Sequence, residues 1–176
     1  MGRMDPSTGR IFLDFSARKL EQYSERIVTC LGKLSQAQVW RRGAENENAV
    51  ANLVLHLCGN LRQWTGSGLD GQPDIRERDQ EFAARGEPDV PALSALLAER
   101  ARDAAVVLRA LPESRLLERV TIQGYQMTVL EAVYHVVEHF SHHTGQVLFA
   151  TKQMTAGDLG FYRHLSRAGG HGETTP

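Results

Sequence analysis

The residues able to do chemistry are crowded into one stretch. Four of the seven histidines fall within YHVVEHFSHHTGQ. His135, His139 and His143 stand four apart, so on a helix they line one face. His142 precedes His143 by one position and is rotated from it by about 100°. Two imidazoles at i and i+4 reach one divalent cation together, and neutral imidazole is a standard nitrogen ligand for zinc, nickel, iron or copper. Spacing alone leaves the pair open between His135/His139 and His139/His143. A further ligand must come from another helix. His56, in VLHLCGN, is the candidate. Leu55 and Leu57 flank it, an imidazolium would be poorly tolerated there, and coordination holds the ring neutral. The competing reading is a histidine-rich face packed on a polar interface, as in a dimer without metal. No Glu follows the first histidine in the H-E-x-x-H manner, so nothing marks a zincin protease.

Other residues are candidates for supporting roles. Asn52 and Asn60 lie four before and four after His56 and share its face, placed to hydrogen-bond a ligand or a substrate. Glu138 and Gln146 are spaced to orient the imidazoles from behind, although Glu138 fits an exposed helix position equally well. Arg76 and Arg78, in the run RERDQEF, either clamp an anionic substrate or form solvated ion pairs. Trp64 reads as core. Tyr125 is either a proton donor at the mouth of a site or a packing aromatic. No Ser-His-Asp arrangement, Gly-rich phosphate loop or basic aromatic patch is present.

The elements that must position these residues are helical. The 176 residues suit a single domain. We expect its limits at 11–168, between a disordered start (1–10) and a disordered tail (169–176). Apolar positions at three- and four-residue steps predict helices from about Ile11 to Leu34, Asn48 to Gly66, Pro91 to Leu111 and Thr128 to Thr151. The first carries its stripe on Phe12, Phe15, Leu20, Tyr23, Ile27, Cys30, Leu31 and Leu34. Asn48 is the expected N-cap of the second, and Thr128 with Glu131 forms a capping box for the fourth. A short fifth helix is expected over Ala156–Leu165. Between Leu117 and Gln123 the pattern alternates and is β-branched, so with Gly124-Tyr125 it reads as a small extended hairpin. The sum is an all-α, antiparallel four-helix bundle.

Composition narrows the partners. A net charge of −1 gives no electrostatic footprint for nucleic acid or a membrane surface. Cys30 and Cys58 read as buried free thiols. The polar start, MGRMDPSTGR, has no apolar signal region, so the cytoplasm is the expected location.

The segment NAVANLVLHLCGNLRQW, the run RERDQEF and then HVVEHFSHHTGQVLFATK together resemble the DinB superfamily, above all its branch of unknown function. The resemblance spans about Leu13 to Met154. It implies an up-down-down-up four-helix bundle with a long crossover, often a homodimer. It also implies a divalent metal held by His56, by His139 and by the second histidine of H-H-x-G-Q, which is His143. His135 then stands one turn before the triad, supporting a ligand or simply buried. The better-understood branches resemble thiol transferases that use mycothiol or bacillithiol, and a related branch isomerises maleylpyruvate. A small-molecule substrate, and a low-molecular-weight thiol as a second cofactor, follow as expectations from that likeness.

Overall fold

A computed structural model describes residues 6–162. The first part of the expected disordered start, the end of the expected fifth helix and the whole of the expected tail lie outside them. Four long helices form the bundle: α1 (Thr8–Leu31), α3 (Val50–Leu61), α5 (Val90–Ala110) and α6 (Val129–Thr155). Two short helices, α2 (Gln36–Val39) and α4 (Arg78–Ala83), lie in the connections. A 3₁₀ turn over Glu113–Leu117 leads into an antiparallel hairpin, β1 (Arg119–Ile122) and β2 (Tyr125–Thr128). Gln123 and Gly124 both take positive φ at its tip, as a two-residue hairpin of matching twist requires.

Side-chain contacts fix the helix directions. Gln36, just past the end of α1, bonds Gly86 O and Val90 N at the start of α5, while Arg10 bonds Leu108 O near its end. These two helices are therefore antiparallel. On α3 and α6, His56 meets His143 and Trp64 meets His135, so this pair is antiparallel too. Tyr23 stacks on Phe140 and Gln38 bonds Met154 O, so α1 and α6 run the same way. The order is up-down-down-up, the all-α bundle expected from the sequence. Each of α1 and α3 packs against both α5 and α6.

The ends follow from caps. Ser7 accepts from Arg10 N–H, and Arg10 also donates to carbonyls at the end of α5, so α1 begins earlier than its periodicity suggested. Asp89 caps α5 through Ala92 N–H, and Thr128 and Glu131 form the expected capping box on α6. The N-cap of α3 is Ala49 rather than Asn48. The reason is Asn52, whose Oδ1 accepts the Ala49 N–H. The fifth helix does not form over residues 156–162. Ala156 takes the left-handed conformation as the C-cap of α6, and Gly160 follows with positive φ.

One face differs from expectation. Leu13 and Ala17 are fully buried at the start of α1, whereas Phe15 is exposed, with Arg18 and Lys19 over its ring. The stripe Leu13, Ala17, Leu20, Ile27 and Leu31 follows the helical period better than one through Phe12 and Phe15. It meets Leu93, Leu97 and Leu108 of α5 and Val133, Val136 and Phe140 of α6 in a single core.

Candidate metal centre

Where α3 faces α6, the core changes from carbon to nitrogen. His56 projects from the middle of α3, and His139 and His143 project from successive turns of α6. His139 Nε2 lies 3.1 Å from His56 Nε2 and 3.1 Å from His143 Nε2. Nitrogens of all three rings fall within 4.8 Å of one another. Zinc–imidazole bonds of about 2.0–2.1 Å in tetrahedral order place ligand nitrogens about 3.3 Å apart. The spacing therefore fits a shared cation.

The groups behind the rings support the fit. Glu81 Oε2 and Arg76 Nη2 both lie 3.0 Å from His56 Nδ1 and hold that edge of the ring, so its Nε2 edge faces His139. Gln146 Oε1 sits 2.6 Å from His143 Nδ1 and fixes that ring in the same sense. His139 Nδ1 is buried and has no partner among the described residues. Three imidazole nitrogens thus converge with no other described side chain between them, an arrangement that could hold a cation.

Electrostatics favour the neutral form of the α6 imidazoles His135, His139 and His143. Burial is the main cause that pushes His139 down to about 3, with the neighbouring imidazoles and Arg76 adding to it. Burial also lowers His143 and His135. Neutral rings are the form that binds metal.

Behind His56 stands an ion pair that the expectations did not include. Arg76 is almost wholly buried, its side chain 3% exposed, and it grips Glu81 with both Nε (2.7 Å) and Nη2 (2.8 Å). Its Nη1 donates to Gln63 Oε1. Burial raises the Glu81 carboxyl, but hydrogen bonds and charge from Arg76 and His56 outweigh it and hold the group below its ordinary range. Gly59 makes room: a Cβ there would collide with Glu81 Oε1 and lie 2.9 Å from Arg76 Nε. Phe82, next to Glu81, packs its ring 4.9 Å from that of His56.

Asn52 is engaged elsewhere. Its Oδ1 accepts from Arg42 and Ala49, and its Nδ2 donates to Glu81 O and Ala84 O, which uses its full capacity and ties α4 to α3. Asn60 is 4% exposed and makes no hydrogen bond to a described side chain. Together with His56, His139, Trp64, Arg78, Tyr125 and His135 it lines an open cleft of about 350 Å³. Trp64 sits in a π-helical turn, Arg62–Ser67, that continues α3, and its ring packs, tilted by 35°, against that of His135 with centroids 4.1 Å apart. Gly68 lets Ile122 of the hairpin approach this turn closely.

Residues 7–169 match the model of a family described as "Protein of unknown function (DUF1572)". The chain belongs to that family. The crystal structure of a DinB-like protein from Bacillus subtilis is similar, with a TM-score of 0.64 over 84% of this chain and 96% of that one, at 19% identity. At that identity the likeness concerns the fold, which is DinB-like. No curated protein matches the chain.

In this DUF1572 member, His56, His139 and His143 come together, while His135 sits beside them on Trp64 rather than among the converging nitrogens. Glu138 and His142 are exposed. Cys30 and Cys58 are buried and free, and burial pushes the Cys58 thiol up to about 12. Sequence reasoning singled out Arg76 but not its partner. The sequence held only the hint that Glu81 stands in the same charged run, since the deep burial that makes Arg76 need a carboxylate shows only in the fold.

Proposed function

We propose that this protein is a metal-dependent enzyme acting on a small molecule. His56, His139 and His143 hold a divalent ion such as zinc, nickel or iron. The observation that carries this reading is the convergence of three imidazole nitrogens, two of whose rings line an open cleft. A divalent ion there supplies a Lewis acid that lowers the pKa of a coordinated thiol or water. Transfer of a low-molecular-weight thiol is the form we favour, with hydrolysis as its counterpart.

The chain's own groups do the rest. Glu81 and Arg76 hold the His56 ring in place, and Gln146 does so for His143. His135, kept neutral by burial, lines the cleft and is able to accept a proton there. A non-catalytic metal-binding role on the same scaffold is the alternative. The open cleft favours catalysis, because a site serving only to store or sense metal needs no room for a substrate.

The first test is elemental analysis of protein purified without a nickel column. Stoichiometric metal in the wild type and none in His139→Ala is expected. Equal metal in both removes the assignment. Thiols are then screened with electrophiles for turnover.

A homodimer is part of the proposal. Leu130, Tyr134 and Phe149 are exposed along α6, in a stripe with His142 that a second copy would cover. Analytical ultracentrifugation checks this, and a monomer at all concentrations would refute it.

A further inference from the structure

The cleft beside the imidazoles carries a charge pattern that says what enters it. Its ionisable lining is Arg76, Arg78, Tyr125 and histidine, and no carboxylate among the described residues lines it. Arg76 is neutralised by Glu81. Arg78 has no carboxylate partner among the described residues. Its guanidinium is held 4.9 Å over the Phe82 ring, which packs on His56. Through Phe82 that stack sets an exposed cation, without a carboxylate partner among the described residues, on the rim of the cleft beside His56. Asn60 adds an amide that is nine-tenths buried, lines the cleft and has no hydrogen-bond partner among the described residues. Trp64 Nε1, in the same lining, is buried without a partner among the described residues, and such a donor is costly unless a ligand or water completes it. Trp64 and Met127 supply apolar lining.

We propose that the cleft binds a small organic carboxylate, its oxygens held by Arg78 and Asn60 and its apolar body laid against Trp64 and Met127. The planar guanidinium fork matches a carboxylate. This deepens the metal-centre reading and rests on it for placing the ligand's other end near the ion. A single unpaired guanidinium and one amide suit a monoanion better than a phosphate, whose sites gather several donors.

The test uses the zinc-loaded full chain, with zinc content measured in every sample and binding followed by calorimetry. Benzoate is compared with its neutral isostere benzamide and with phenyl phosphate. Benzoate is expected to bind about tenfold more tightly than benzamide, and that preference to vanish in Arg78→Gln with zinc retained. Asn60→Ala is expected to weaken benzoate about tenfold, and its thermal melt reports whether it folds. Unchanged benzoate binding in a folded Arg78→Gln overturns the inference, since the anion would then be meeting zinc alone. Tighter binding of phenyl phosphate, or equal binding of benzoate and benzamide, overturns it as well. In each of these outcomes zinc remains, so the metal centre stands. Absence of zinc from the wild type overturns the metal-centre reading, and this inference with it.

Discussion

The bundle contains two antiparallel helix pairs built to different ends. In α1 and α5, buried positions are carbon: Leu13, Leu20 and Ile27 against Leu93, Leu97 and Leu108, with only the hydroxyls of Ser16 and Ser24 between. In α3 and α6, the corresponding depth holds Asn52, His56, Asn60, Thr65 and Thr144. The first pair meets through hydrocarbon that is continuous with the rest of the core. The second closes only with help from a short helix that brings Glu81 against His56 and, in our reading, from a cation. Stability and chemistry are therefore carried by opposite sides of one core. The apolar side tolerates little change in volume, and the polar side tolerates little change in partner.

That contrast can be broken experimentally. The largest effect is expected from His139→Ala, which should abolish bound metal while the bundle still folds, read by elemental analysis beside circular dichroism. A change on the other side should do the reverse. Leu97→Ala should cost about 2–5 kcal/mol of unfolding free energy in urea titration and leave metal stoichiometry intact. Should Leu97→Ala release metal from folded protein, the two sides are not independent. Glu81→Gln and Gly59→Ala both loosen the support behind His56. Each should weaken metal affinity by about 10- to 100-fold in chelator competition, without removing the ion outright.

The smallest effect is a slope. In the fold His139 is held at about 3, against an ordinary 6.5. Between those values the unfolded chain binds the proton and the folded chain does not. Stability is then complete above about pH 6.5 and is lost as pH falls toward 3. His143 and His135 are lowered too and act in the same direction. The urea midpoint of metal-free protein should fall from about pH 7 to about pH 5, and His139→Gln should flatten that slope.

The long helices were legible because repetition reveals them: apolar residues recur over many turns, and caps such as Thr128 with Glu131 mark ends. The converging imidazoles were legible because four histidines so close together are hard to place otherwise, and the likeness to DinB proteins chose among them. Glu81 was not legible. It lies on α4, six residues long, too short to show a period. Its position is set by Asn52 and Arg42, which hold the backbone of α4 from across the fold. The outer face of α1 was misjudged because large aromatics outweighed Leu13 and Ala17, though the smaller residues keep the better register. The expected fifth helix lost to a left-handed cap at Ala156, where composition gave little warning.

The wide turn at Arg62–Ser67 bears on how this motif is recognised. Asn52, His56, Asn60 and Trp64 advance by a strict stride of four. In an ordinary α-helix each such stride overshoots the turn by about 40°, so the last residue would swing away from the first. A turn that closes through i→i+5 bonds, such as Gly68 N–H to Gln63 O, takes in more chain and winds part of that drift back. Removing one residue from this turn would restore ordinary winding and carry the indole off His135, leaving the cleft without its wall while every imidazole stayed in place.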